Sequence, residues 1–251
     1  MEKLLNKLQE NIFNSFIIFL ILLNVLPFIA PIAAFLELHF ISKSIYTIFS
    51  FTCHQFHWRS LHIFDYQVAW CTRDTFIWLG FLLTSLVMKF KLVKQGLPWY
   101  WIVPFTIPIA LDGGIQTIAT LVGFQSNEQF YLATNFTRMI TGSIFGIGLG
   151  MIISSFLHEE QEVIRETLKP DSKSYTEILE QKKQSKEIDY KKLLINISSI
   201  FAVLLFLYTF LILIWRLTSP KYPPKGFFDH KVRNAPNVQE WVYERNSHGD
   251  K

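Results

Sequence analysis

Charge is scarce in this sequence. Only 18% of its 251 residues are Asp, Glu, Lys or Arg, against about a quarter in soluble domains. Cysteine is scarcer still, with Cys53 and Cys71 alone, which excludes the multi-bridge scaffold of small secreted domains. The signatures of common soluble enzymes are missing: there is no P-loop, no G-x-G-x-x-G after a strand, no G-x-S-x-G and no H-E-x-x-H. The net charge of +4 lies mostly in stretches that flank apolar blocks. A nucleic-acid binder would need it gathered on one face, so no nucleic-acid partner is expected. No cleavable signal peptide is evident, because the first apolar block is too long for a signal core and lacks a small-residue cleavage site.

Apolar surface is abundant. Half of the residues are hydrophobic, 24 of them Phe, and the mean hydropathy is +0.26. A bilayer core takes about 20 helical residues to cross. The apolar blocks predict an all-α polytopic transmembrane helix bundle of about five spans, near 15–38, 69–88, 98–122, 134–157 and 193–217. Its partner is then the lipid bilayer of the cell membrane, and a homo-oligomer is left open. Pro27 and Pro31 predict a kink in the first span. Pro104, Pro108 and the run Asp112-Gly113-Gly114 predict an interruption of the third, with unwound backbone at Asp112. Gly142, Gly146 and Gly150 recur at four-residue spacing in the fourth, a small-residue stripe that lets a second helix approach closely.

The remaining stretches differ in composition. Residues 39–68 are too polar to cross and too aromatic for an ordinary loop, so a re-entrant or interfacial segment is expected after the first span. His57 and His62 read there as interfacial side chains, and His39 and His158 as boundary residues. Residues 158–192 hold eight Lys/Arg and nine Asp/Glu. They predict a solvated helical hairpin, stopped at Pro170 and restarted by a capping box at Ser174-Tyr-Thr-Glu177. This hairpin is a candidate docking surface for a cytoplasmic partner. Residues 218–251 form a Pro-rich polar tail without regular structure. The unit 1–157 is thus the main membrane bundle, and 193–217 a fifth helix beyond the hairpin.

Five spans place the termini on opposite sides. With the N-terminus cytoplasmic, the inner segments carry 13 Lys/Arg and the outer loops only Lys43 and Arg59, a strong positive-inside bias. The end of the chain, from Arg216 onward, carries seven more and argues the opposite way. Charge in the loops outweighs the tail, so Cys53 and Cys71 are expected on the extracytoplasmic side.

Ionisable residues inside a membrane segment need a physical reason. Arg73 and Asp74 fall at the start of the second span, Asp112 in the third, and Arg138 at the start of the fourth, one helical turn after Asn135. Under the chosen topology these converge with Cys53, His54 and Cys71 in a polar cleft open to the outside. Asp112 could neutralise Arg73 or Arg138 in an ion pair that joins helices. Cys71 and Asp74, three apart on a helix, share one face. With Cys53 and His54 they offer thiolate, imidazole and carboxylate, a set compatible with zinc. A Cys53–Cys71 disulfide and two unlinked buried thiols are equally consistent with the residues. The sequons at Asn135 and Asn196 lie in or against the membrane and are discounted.

These same residues resemble the DUF2085 family of membrane proteins, whose function is not established. The resemblance is carried by Cys53-His54-Gln55 with Arg59-Ser60, by Cys71-Thr-Arg73 with Gly80, by Leu111-Asp112-Gly113 with Gln116, and by Arg138 with Thr141-Gly142. It covers about residues 15–157. The family pattern has a second cysteine after the arginine, as in C-x-R-C-x-G, where this chain has Asp74, and Phe76 stands at the glycine. A C-x-x-C redox pair is therefore excluded, while Asp74 keeps a metal ligand. The resulting site map is Cys53, His54, Cys71 and Asp74 for a metal ion, with Gln55, Arg59, Arg73, Asp112, Gln116, Asn135 and Arg138 lining the cleft.

The leading expectation is an integral membrane protein whose outward-facing polar site binds a metal ion, zinc by its ligands, or a small polar or anionic solute. Three alternatives stand beside it. A membrane-embedded metal-dependent enzyme would act on a lipid-linked or phosphate-bearing substrate. A small-solute transporter would be expected to show an inverted repeat, and none is visible. A structural or assembly protein would use the polar residues for helix packing, with a Cys53–Cys71 bridge.

Overall fold

A computed structural model of the chain describes residues 11–90, 96–123, 131, 133–167, 174, 176–178, 189–224 and 226. Lys3, Lys7, most of the 123–133 loop, most of the hairpin beyond residue 167 and nearly all of the tail lie outside the described residues. Helix α1 spans Ile12–Phe35 and runs unbroken through Pro27 and Pro31. A short helix, α2, follows at His39–Ser50. Strands β1 (Ser60–Ile63) and β2 (Tyr66–Cys71) form an antiparallel hairpin. Then come α3 (Thr72–Lys89), α4 (Ile102–Gly123) and α5 (Asn135–Leu149). A five-residue π-helical stretch, Gly150–Ser154, leads from α5 into α6 (Ser155–Thr167), and α7 spans Tyr190–Thr218.

Among the described residues, four helical stretches are long and apolar enough to cross a bilayer: Ile12–Phe35, Trp99–Ala119, Asn135–Thr167 and Tyr190–Thr218. They match four of the five expected spans. The remaining expected span, 69–88, corresponds to α3, which is not among them. It has 18 residues and carries Arg73, Asp74 and Lys89. Its place explains its composition. Helix α3 packs against α1, α5 and α7 at the centre of the molecule, so its neighbours are mostly protein. Phe76, Phe81, Met139, Ile147, Leu204 and Tyr208 form the core around it. The outer faces of α1, α4 and α7 are instead lined with exposed Leu, Ile, Val and Phe, as expected of a chain whose surroundings are lipid.

The most extensive helix pairing is α3 on α5, and the glycine stripe makes it. A Cβ on Gly142 would stand 2.5 Å from the carbonyl oxygen of Arg73, and one on Gly146 would stand 2.1 Å from that of Ile77. At Gly150 it would meet the Thr84 side chain at 2.4 Å. The partners Arg73, Ile77 and Thr84 lie four and then seven residues apart along one face of α3, a close fit that small residues permit. Below it, the hydroxyls of Ser85 and Ser154 share a hydrogen bond of 2.6 Å.

The segment 39–68 folds as a short helix, a turn, strand β1 and the start of β2, so the described chain is helical with one two-stranded sheet. Phe64 and Asp65, both at positive φ, make the two-residue turn, the conformation that suits the twist of a hairpin. Phe64 stacks on Phe35 with ring centroids 4.2 Å apart, which anchors that unusual backbone. The expected interruption of α4 is corrected: the helix continues through Asp112-Gly113-Gly114 without unwinding. Gly113 serves close approach, since a Cβ there would lie 3.2 Å from Arg73 Nη1.

The hairpin also clasps the end of α7. Asp65 Oδ1 accepts the backbone N–H groups of Lys221 at 2.9 Å and Tyr222 at 3.0 Å. His57 and His62 are buried in this clasp rather than interfacial. His62 Nε2 and His57 Nδ1 are hydrogen-bonded at 3.0 Å, and the His62 ring stacks on Trp215 at 4.7 Å. Burial, then the adjoining His57, hold the His62 imidazole well below its ordinary range, against an opposing backbone bond from Ser60. The capping box is present as expected: Ser174 N donates to Glu177 Oε2 at 3.3 Å, and Glu177 N donates to Ser174 Oγ at 3.4 Å.

Candidate functional site

Cys53 follows the last turn of α2, with its N–H bonded to the Phe49 carbonyl at 3.0 Å. Gln55 then takes a positive φ of 51° and reverses the chain toward the hairpin. Its side-chain Nε2 donates to the Tyr46 carbonyl at 2.8 Å, tying the reversal back to α2. The pairing of Ser60 with Cys71 brings the end of β2 level with this reversal. As a result Cys53 Sγ accepts the N–H of Cys71 at 3.2 Å and that of Gln55 at 3.5 Å. Such N–H donors orient and stabilise a sulfur in the manner of a metal site's outer shell.

Cys71 is both the last residue of β2 and the residue that opens α3, so Asp74 lies in the first turn directly beyond it. Cys71 Sγ and Asp74 Oδ2 are 3.1 Å apart. The ligand atoms of Cys53, Cys71 and Asp74 all lie within 4.8 Å of one another. Both cysteines are free thiols. Two soft sulfurs and one carboxylate oxygen at this separation fit a zinc ion in kind and number, with a fourth position left to another ligand. His54 does not join the group: it is exposed, and its ring lies against Phe56.

The rest of the expected cleft assembles around the starts of α3 and α5. Thr72 Oγ1 donates to Asn135 Oδ1 at 3.1 Å and links the two helix N-termini. Arg73 donates to Asp112, and Tyr131 donates to the other carboxylate oxygen at 2.6 Å. Asp112 thus pairs with Arg73 and not with Arg138. Burial, then this bond, push the Tyr131 hydroxyl above its ordinary range. Arg138 is buried; its Nη2 donates to Gln116 Oε1 at 2.7 Å and its Nε to the Ala133 carbonyl at 3.3 Å. Arg59 sits over the Phe56 ring, 4.8 Å from the centroid. Burial lowers its guanidinium from the ordinary range, opposed by the nearby Cys71 and reinforced by Arg73.

Ten of the eleven expected site residues therefore gather at one end of the bundle, and His54 faces away. Tyr131, Thr72 and Tyr46 belong to the same network and carried no sequence signal. A tyrosine in a loop and a threonine at a helix start are too common to stand out before the fold brings them to Asp112 and Asn135.

Long apolar helices around a buried polar centre define a helical integral membrane protein. A family model described as a predicted membrane protein, DUF2085, matches residues 53–152, which contain the whole site from Cys53 to Arg138. An uncharacterized protein of the archaeon Methanocaldococcus jannaschii is 35% identical over 137 residues, covering 53% of this chain and 81% of that protein. The chain belongs to the DUF2085 family. No solved structure matches it.

Proposed function

We propose that this membrane protein holds a soft divalent cation, with zinc the best fit, between Cys53, Cys71 and Asp74. One observation carries the reading: three metal-ligating atoms lie within 4.8 Å of one another, and both thiols are unlinked. Two N–H donors to Cys53 Sγ support it as ready-made outer-shell contacts. Helix α3 would be the fifth crossing, its charges tolerated because protein surrounds it. The N-terminus would be cytoplasmic, and the site would open to the extracytoplasmic face.

A second reading, a metal-dependent membrane enzyme, is favoured by the three-donor set. Catalytic zinc sites use three protein ligands and leave the fourth position to water. The first experiment is metal content by mass spectrometry on detergent-purified protein, with a free-thiol count. About one zinc per chain with both thiols free is expected. No metal together with no free thiol would replace the reading by a Cys53–Cys71 bridge and a structural site. Blocking of Cys53 by a membrane-impermeant reagent in oriented vesicles tests the side of the membrane.

A further inference from the structure

Three guanidiniums lie near the starts of α3 and α5, and among the described residues they outnumber the carboxylates placed there. Arg73 has a carboxylate partner, Asp112. Asp74, the other carboxylate here, is turned to the Cys71 thiol. The hydrogen bonds of Arg138 to Gln116 and Ala133 are to neutral oxygens. Asp112 and Gln116 stand one turn apart on α4, so the acceptors of Arg73 and Arg138 are neighbours on one helix face. Arg59 joins them from the hairpin. The pairing of Ser60 with Cys71 places it beside the first residue of α3, and its charge acts on Arg138, as does that of Arg73.

The uncharged groups at this corner are donors as well. The Thr72–Asn135 bond holds the starts of α3 and α5 side by side, so two helix dipoles present their positive ends together. Asn135 is only 1% exposed, and its amide nitrogen finds no partner among the described residues. The Nε atoms of Arg59 and Arg73 are likewise buried without one among the described residues. Buried donors left unsatisfied are rare in native structures and mark a missing acceptor.

We propose that the corner formed by Arg59, Arg138 and Asn135, beside Cys71, binds a tetrahedral oxyanion of the phosphate type. The charge balance selects the class. With Arg73 matched by Asp112, the cations of Arg59 and Arg138 are left in excess among the described residues, and a phosphate group carries about −1.5 to −2 near neutral pH. Its several oxygens can serve the two guanidiniums and the amide separately, and it brings more negative charge than a single carboxylate does. The group is either a free phosphate or the phosphate of a lipid headgroup. This deepens the polar-cleft reading and rests on its arginines rather than on the metal.

The test is thermal unfolding of the full chain in a neutral maltoside detergent, in two arms. One arm compares sodium phosphate with sodium chloride at matched ionic strength. The other compares mixed micelles containing phosphatidic acid with micelles containing diacylglycerol. A rise in midpoint is expected in one arm at least, the first for a soluble ligand and the second for a headgroup. Arg59→Gln and Asn135→Ala should each raise the half-saturating concentration by about tenfold or more. Arg59 is partly exposed, so its variant carries the test if the buried Asn135 variant fails to fold. A chelator-treated sample should keep the response. A protein that holds no zinc as purified yet keeps the response would lose the metal reading and leave the anion site standing. No rise in either arm, or equal responses in wild type and Arg59→Gln, would overturn the proposal.

Discussion

Arg73, in the first turn of α3, reaches Asp112 in the middle of α4, and Tyr131 occupies the second oxygen of the same carboxylate at 2.6 Å. The pair joins two helices; Asp112 is buried and Arg73 partly so. Removing one partner strands a charge, which costs about 3–5 kcal/mol for a buried pair. Asp112→Ala should therefore lower stability by about that amount in denaturant unfolding from micelles. The double variant Arg73→Met with Asp112→Leu should regain most of the loss, because an apolar pair strands no charge. An Asp112→Ala protein as stable as wild type would remove the pair from the stability argument.

The α3–α5 contact gives a second expectation. A Cβ on Gly146 would come within 2.1 Å of the Ile77 carbonyl oxygen. Backbone cannot yield as a flexible side chain can. Gly146→Ala should cost about 1–3 kcal/mol through overpacking, and Gly146→Leu more. At Gly114 a Cβ meets nothing within 4 Å. Gly114→Ala should therefore be neutral or slightly stabilising in the same measurement, by about 0.5–1 kcal/mol through helix propensity.

The buried histidine pair predicts acid sensitivity. His62 is held neutral in the folded protein because burial, then His57, lower its pKa. A group with a depressed folded pKa binds more protons when unfolded, so stability falls as pH falls. The contribution should be complete above the ordinary histidine range, about 6.5, and be lost progressively below it. His62→Phe should flatten the dependence of the unfolding midpoint between about pH 7 and pH 5. Trp215 stacks on His62, so its fluorescence provides a local readout. A wild-type midpoint that does not change over this window would contradict the assignment.

The three-donor site separates its members by chemistry. Cys53→Ala and Cys71→Ala should each abolish zinc retention through gel filtration. Asp74→Asn should weaken it, since a neutral amide oxygen is the poorer ligand. His54→Ala should retain wild-type metal content, because His54 stacks on Phe56 away from the donors. Equal zinc loss in the His54 and Cys71 variants would point to a different ligand set.

Much of the architecture was legible before the fold. Blocks of apolar residues near the length of a bilayer core located the long helices. The four-residue spacing of Gly142, Gly146 and Gly150 announced a close helix contact, though not its partner. The capping box at Ser174 was readable because it depends on residues three apart on one segment. The β-hairpin was not, because its turn is Phe64-Asp65, without the glycine or asparagine that favours positive φ. Packing of Phe64 on Phe35 holds that turn, and such a contact is invisible in local sequence. Asp112-Gly113-Gly114 read as a break for the converse reason. The local helix propensity is poor, but α4 continues through it, and Gly113 admits Arg73 against the helix.

The sequence by itself determined that the chain is a membrane protein and which residue types are costly in it. Hydrophobic run length and the rarity of charge are properties of the chain alone. Which costly residues meet was decided by tertiary structure. Asp112 pairs with Arg73 rather than Arg138, and Cys53 reaches Cys71 and Asp74 while His54, its neighbour in sequence, faces outward. Those choices depend on the Ser60–Cys71 strand register and on the depth to which α5 sinks against α3. Both are set by packing between segments far apart in the chain, which no local pattern encodes.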